Sequence, residues 1–256
     1  MTSNSGSPSC PVCDAAMVLF DNALVLGKYD ADYHRCTACG LIAILDLPFL
    51  DEAYASAIHD CDSGLMRRAR LMTRLTSAII RFEGLTGGRF LDFASGYGTF
   101  VQFMREAAHD FWQFDEYATP VFARQFQDDG LGRYDLVTAF EVFEHLPDPR
   151  GQLAKLAERT DLVFFSTELV PEPAPKVGDW WYYWPEVGQH VIFHTVESLR
   201  ILGESLGFEV TSNGSNWHLF HRKPLDPRTR LLFSSRLHGA ARSSRHRLWA
   251  LRHRNG

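Results

Sequence analysis

Two Cys-x-x-Cys pairs, Cys10-Pro11-Val12-Cys13 and Cys36-Thr37-Ala38-Cys39, stand 22 residues apart. Thiolates at that spacing suit a tetrahedral Zn²⁺ on Cys10, Cys13, Cys36 and Cys39, each pair forming a tight knuckle. Gly40, directly after the second pair, supplies the permissive backbone such a knuckle uses. Four thiolates leave no position open to substrate, so the metal is expected to be structural. Two redox dithiols are the competing reading, and two paired motifs at ribbon spacing argue against it. The fifth cysteine, Cys61, is read as an ordinary thiol near the surface.

Histidine meets a carboxylate in Glu141-Val142-Phe143-Glu144-His145 and a carboxamide in Gln189-His190. An imidazole, with a pKa near neutrality, is the side chain best suited to take a proton from a hydroxyl. His190 and His145 are therefore the candidate catalytic residues, with Glu141 and Glu144 expected to organise their loop through hydrogen bonds. The alternative for His190 is a structural histidine bonding a sheet edge. Before it, Pro171, Pro173, Pro175 and Gly178 break regular structure and Trp180-Trp181-Tyr182-Tyr183-Trp184 follows. Five consecutive rings line a pocket for a flat or pyranose-like acceptor or cap the sheet, and one wall can do both.

These groups need elements to hold them. Leu91-Asp92-Phe93-Ala94-Ser95-Gly96-Tyr97-Gly98 reads as an apolar strand breaking into a glycine turn, and 99–106 continues with helical spacing. Strand, turn and helix present backbone N–H groups and a positive helix end to a nucleotide-like ligand. Phe111 to Phe114 forms a second strand ending in Asp115, where such domains place a carboxylate on the ribose hydroxyls. Tyr134 to Phe140 is a third clear strand, running into the Glu141 cluster. Asp161 to Glu168 is another, and a helix begins near Val196. Phe122 to Phe126 is taken as a reduced strand, with Asp128 on the adenine side. Residues 49–84 read as helical, with Leu65, Ala69, Met72, Leu75, Ile79 and Phe82 at three- and four-residue steps and arginines on the solvated face.

Asp92 to Gly98, then Asp115, then Tyr134-Asp135-Leu136-Val137 and Glu141 to Leu146, resemble class I S-adenosylmethionine-dependent methyltransferases over about residues 85–222. The resemblance implies an α/β fold, a Rossmann-like sheet flanked by helices, with a small N-terminal zinc-binding module. It assigns Asp92, Ala94, Ser95, Gly96, Gly98, Asp115 and Glu141 to the cofactor, S-adenosyl-L-methionine. Ala94 stands where the family has its first turn glycine, a mild change if its φ is ordinary. The cysteine module together with Glu-x-x-Glu-His and Gln189-His190 is similar to bacterial methyltransferases of sugar and polysaccharide pathways, including zinc-bearing sugar C-methyltransferases. Those carry Glu-His at Gln189-His190, with the histidine near the reacting carbon. Gln in place of Glu, and no long C-terminal domain, favour O- or N-methylation over C-methylation.

The expected organisation is a zinc-ribbon-like module over 1–48, a helical linker over 49–84, the methyltransferase domain over 85–222 and a basic segment over 223–256. Residues 222–256 hold ten Lys and Arg against Asp226 alone, a balance of +9 that leaves −14 on the other 221 residues. That segment contacts an anionic surface or folds back on the acidic body. The polar start lacks a signal-peptide core, and Leu41 to Leu50 is too short to span a bilayer. A cytoplasmic enzyme is expected, acting on a small acceptor such as a sugar or nucleotide-sugar, whose rings would stack. Its rivals are an rRNA or tRNA methyltransferase (though nucleic acid is the weaker expectation on so acidic a body), a non-catalytic S-adenosylmethionine-binding module and a dehydrogenase.

Overall fold

The computed structural model describes residues 7–54, 65–130 and 132–234. Cys61 and the basic segment from residue 235 onward lie outside them. The chain begins with an antiparallel hairpin, β1 (Met17–Val25) and β2 (Tyr29–Cys36), followed by a short β3 (Ile42–Ile44). The hairpin turns through Leu26 and Gly27, both at positive φ, the hand that matches strand twist. All three residues of β3 are buried, because a strand from far along the chain covers its free edge. That strand is β8 (Ile192–Phe193), and the sheet runs β1-β2-β3-β8.

A short helix α1 (Leu50–Ala53) and a long α2 (Leu65–Phe82) lead into the second sheet. Its parallel strands are β4 (Arg89–Phe93), β5 (Asp110–Phe114), β6 (Leu136–Phe140) and β7 (Leu162–Ser166). Two antiparallel strands, β9 (Glu209–Ser212) and β10 (Trp217–His221), complete the order β5-β4-β6-β7-β10-β9. Strand alternation divides the apolar residues between two layers. Phe90, Leu136 and Phe164 pack with Ala69, Met72 and Ile79 of α2, with Phe100 and Met104 of α3 (Thr99–Glu106), and with Phe233 just after α6 (Pro227–Leu232). Their neighbours Leu91, Val137 and Phe165 pack with Leu153 and Leu156 of α4 (Pro149–Arg159) and Leu199 and Leu202 of α5 (Val196–Glu204). Sheets covered on both faces need near-continuous apolar strands, which is what the sequence supplies.

The second layer does not stop at the sheet. The same apolar cluster takes in Cys10, Val12, Tyr33, Leu41 and Phe49, so the N-terminal sheet and the larger domain share one core. Polar ties reinforce the join. Thr195 caps α5 reciprocally with Ser198, and its hydroxyl also donates to the carbonyl of Cys39 at 2.6 Å. Arg150, on α4, donates to the carbonyl of Val12 and to Asp14.

Two expectations need correction. Residues 122–126 form turns rather than a reduced strand, and beyond β5 the sheet gains a single parallel bridge, Gln113 to Gln127. The buried Gln113 amide donates to the carbonyls of Phe122 and Ala123, pinning that segment to the edge without a ladder. Asp128 does not face the cofactor crevice: its buried carboxylate is held by Arg159 and by the Tyr134 hydroxyl at 2.6 Å. Strands β5 and β6 flank β4 on opposite sides, so the crevice opens at the carboxyl end of β4.

Candidate active site

A cavity of about 1300 Å³ occupies that crevice. Asp92, Ala94, Ser95, Gly96, Asp115 and Glu141 line one part of it, and His145 and His190 line another. Both candidate catalytic histidines and most of the cofactor set are thus brought to one space. Gly98 is the exception, since it is not on the wall. It caps α3 at φ 78°, and a Cβ there would come within 2.4 Å of Gln113 Oε1 and 2.5 Å of the Phe122 carbonyl. Chain packing, rather than close approach of a ligand, requires that glycine.

Asp115, the candidate ribose ligand, is also a structural tie. Its Oδ2 accepts from Gly96 N at 2.7 Å, and its Oδ1 accepts from the backbone N–H of Tyr117 and Ala118. Of roughly four acceptor positions on the carboxylate, one ties down the glycine turn and two fold the segment after β5. The Ser95 hydroxyl is buried beside them without a partner. A polar atom left unsatisfied in a cavity wall fits a site completed by a polar ligand. Asp92, behind the turn, accepts from Thr138 at 2.6 Å, while burial pushes its carboxyl up to about 7.

Ala94 adopts φ 56°, in the left-handed region, so its replacement of the family glycine is a strained one rather than a mild one. Ala94→Gly relieves roughly 1–2 kcal/mol of Cβ strain and adds roughly 0.4–1 kcal/mol of unfolded-chain entropy. Equilibrium denaturation should therefore show the glycine variant neutral or more stable by up to about 1.6 kcal/mol. A clear loss of stability would mean that the alanine methyl packs usefully.

At the other part of the cavity a 3₁₀ turn, Phe143–His145, follows Glu141, itself at φ 55°. Nδ1 of His145 lies 3.0 Å from the Gln189 carbonyl and 3.1 Å from the Tyr54 hydroxyl. A carbonyl only accepts, so Nδ1 carries the proton and Nε2 the lone pair. His190 repeats the arrangement, with Nδ1 2.7 Å from the Tyr182 carbonyl. The two rings meet edge to face, 4.8 Å between centroids. Burial, with His190 alongside, pushes His145 down to about 3, and burial lowers His190 too. Both imidazoles are neutral at physiological pH.

Glu144 sits directly behind them and is 0% exposed. Its Oε1 accepts from Tyr182 at 2.6 Å, while Oε2 is buried with no partner. Burial, then the charge of Glu141, pushes its carboxyl up to about 8. Sequence reasoning made Glu144 a loop organiser and missed this central position. Its adjacency to His145 was the available signal. Glu141 is the residue that organises, as Ser166 donates to its Oε1 and accepts from its N–H.

The aromatic run resolves into both roles weighed for it. Trp180, Trp181, Tyr182 and Trp184 line the cavity, whereas Tyr183 turns away to pack on Tyr33 and Phe193. Arg67 and Arg68 of α2 also reach the cavity wall, from a basic helix face read mainly as solvated.

The four cysteine sulfurs converge in the N-terminal module. Sγ–Sγ separations are 3.7 Å for Cys10–Cys39, 3.4 Å for Cys13–Cys36 and 3.6 Å for Cys13–Cys39. A disulfide needs about 2.05 Å, whereas four sulfurs at about 2.3 Å from a tetrahedral ion stand about 3.8 Å apart. The donor set and its spacing fit Zn²⁺. Gly40, at φ 72°, lets the second knuckle turn as anticipated.

A family model described as a methyltransferase domain matches residues 66–213. The ubiquinone biosynthesis O-methyltransferase of Pectobacterium atrosepticum is 31% identical over the matched part, which covers 34% of this chain and 45% of that one. The chain thus spans less than half the length of this curated relative. Among solved structures, magnesium protoporphyrin IX methyltransferase from Synechocystis PCC 6803 with bound SAH is 14% identical, covering 67% of this chain and 92% of that one, with a TM-score of 0.43. An O-methyltransferase family protein from Burkholderia thailandensis is 15% identical, covering 69% and 68% respectively, with a TM-score of 0.44. Because the family match spans more than half of the sequence and includes the glycine turn, Asp115 and the Glu141 cluster, this chain belongs to the methyltransferase domain family.

Proposed function

We propose that the chain methylates a hydroxyl of a small, saccharide-like acceptor, with His190 and His145 as catalytic residues and a structural zinc in the four-cysteine module. The observation that carries this reading is the meeting, in one cavity, of the glycine-turn wall, two neutral imidazoles and the wall of Trp180, Trp181, Tyr182 and Trp184. When bound, S-adenosylmethionine supplies a methyl group on a positively charged sulfur. Asp115, Gly96 and Ser95 hold the nucleoside side, and Glu141 keeps the loop over it. The indole and phenol faces suit the C–H faces of a pyranose, and their burial removes water from the acceptor. The acceptor oxygen attacks the methyl carbon in line as the C–S bond breaks, its electron pair staying on sulfur. Positioning supplies much of such a reaction. The hydroxyl must also lose its proton, and the imidazole pair is the group placed to bring that about. N-methylation is the less favoured variant, because a neutral amine needs no such help before attack.

Calorimetry on the purified chain should detect S-adenosylmethionine binding, and Asp115→Ala should weaken it by roughly 1–3 kcal/mol, the scale for losing charged hydrogen bonds. A panel of sugars and nucleotide-sugars incubated with methyl-labelled cofactor should then yield labelled product. Label found only in amine-bearing or nucleic-acid acceptors would overturn the reading. Within the described residues no helix is long and apolar enough to cross a membrane.

A further inference from the structure

Glu144, His145 and His190 carry hydrogen bonds that a proton-transfer pair does not require. One carboxylate oxygen and one nitrogen from each ring lie within 4.8 Å of one another. Both rings donate Nδ1–H to a backbone carbonyl, His145 to Gln189 and His190 to Tyr182. Each therefore offers Nε2 as a lone pair, and this second bond is what fixes the tautomer of a metal-ligating histidine. The carboxylate is secured in the same manner. The Tyr182 hydroxyl holds Oε1, leaving Oε2 buried and without a donor. Glu144 Oε2, buried and without a donor, and the two rings beside it form a group that a cation would complete.

We propose that Glu144, His145 and His190 bind a divalent cation whose remaining coordination positions take the acceptor's hydroxyl oxygen. The inference rests on the reading of this cavity as the acceptor site, and it makes the imidazoles ligands rather than proton acceptors. Two nitrogens and one carboxylate oxygen suit first-row ions such as Mn²⁺ or Fe²⁺, while the four thiolates select the softer Zn²⁺, so the two sites need not compete. Coordination lowers the pKa of a bound hydroxyl. Its proton leaves to water at the cavity mouth, the oxygen electron pair forms the new O–C bond, and the C–S pair remains on sulfur as the neutral thioether.

The probe is Mn²⁺, titrated into the full zinc-loaded chain and followed by the electron paramagnetic resonance of the free ion. One Mn²⁺ per chain is expected. Loss of an outer hydrogen-bond partner of a metal ligand costs 10–100-fold in affinity, so loss of a ligand itself should cost about 100-fold or more. Glu144→Gln and His190→Gln should each show that loss, and Tyr182→Phe about 10-fold. Unchanged S-adenosylmethionine affinity in each variant reports that it has folded. No binding below millimolar Mn²⁺, or undiminished binding in both ligand variants, overturns the proposal. So does full-rate methylation by protein whose only metal is the cysteine-bound zinc. Mn²⁺ binding without methylation of any hydroxylated acceptor would support the cation site and overturn the acceptor reading instead.

Discussion

Cys39→Ser is expected to abolish zinc retention and to damage the active site as well as the N-terminal module. Elemental analysis of freshly purified, reduced protein should find one zinc per chain at the four cysteines, and none in the variant. Structural zinc contributes about 10–16 kcal/mol of apparent binding free energy in isolated fingers, an amount that exceeds the stability of many domains. Sequence reasoning places the damage in the N-terminal module first, because metal binding there is coupled to folding. The structure extends it, since Cys10, Cys36 and Cys39 lie in the same apolar cluster as Tyr182, Ile192 and Phe193. The Cys39 carbonyl also receives the Thr195 hydroxyl at the start of α5. Hydrogen exchange should therefore show lost protection in β1–β3 together with residues 190–195. Zinc-free protein with full protection at 190–195 would show that the module is an independent unit.

His190→Ala is expected to lower turnover by about 10²–10⁴-fold while leaving cofactor affinity nearly intact. The ring lines the part of the cavity proposed for the acceptor, whereas the Asp115 turn proposed to hold the nucleoside shares no hydrogen bond with it. Steady-state kinetics with the true acceptor, alongside calorimetry of cofactor binding, separate the two effects. His190→Gln preserves much of the size and one hydrogen bond but offers no imidazole nitrogen. If both variants keep near-normal turnover, proximity alone drives the reaction and His190 is structural.

The parts of this site that could be read from sequence are those set by local chemistry. A strand, a glycine turn and a helix are contiguous, so β4, the 94–98 turn and α3 were legible, as were the cysteine pairs. His145 and His190 were singled out because imidazole titrates near neutrality and because of the family resemblance, and the fold brings both to the cavity. What escaped depends on distant partners. β8 is two residues long and owes its existence to β3, which local propensity cannot register. Asp128 follows an apolar stretch as a ligand-binding carboxylate would, yet Arg159, on α4, claims it. The φ of Ala94 is imposed by the turn around it, and alanine is the last residue whose type would announce a left-handed backbone. Glu144 was named for its neighbours, but its isolation from any donor at Oε2 exists only once Tyr182 and the sheet have closed over it.

The pairing of Ala43 with Ile192 also sets a timetable for the ribosome. A nascent chain completes the cysteine cluster when Cys39 emerges and β3 a few residues later, but the strand that covers β3 is made only after most of the protein has followed. At about 5–20 residues per second the wait is on the order of ten seconds. Through that interval Ile42, Ala43 and Ile44 present an apolar strand edge of the kind that recruits other chains. The four thiols that precede it are already in place to clamp the hairpin, so a cell short of zinc would be expected to accumulate this protein in aggregates before it accumulated an inactive soluble form.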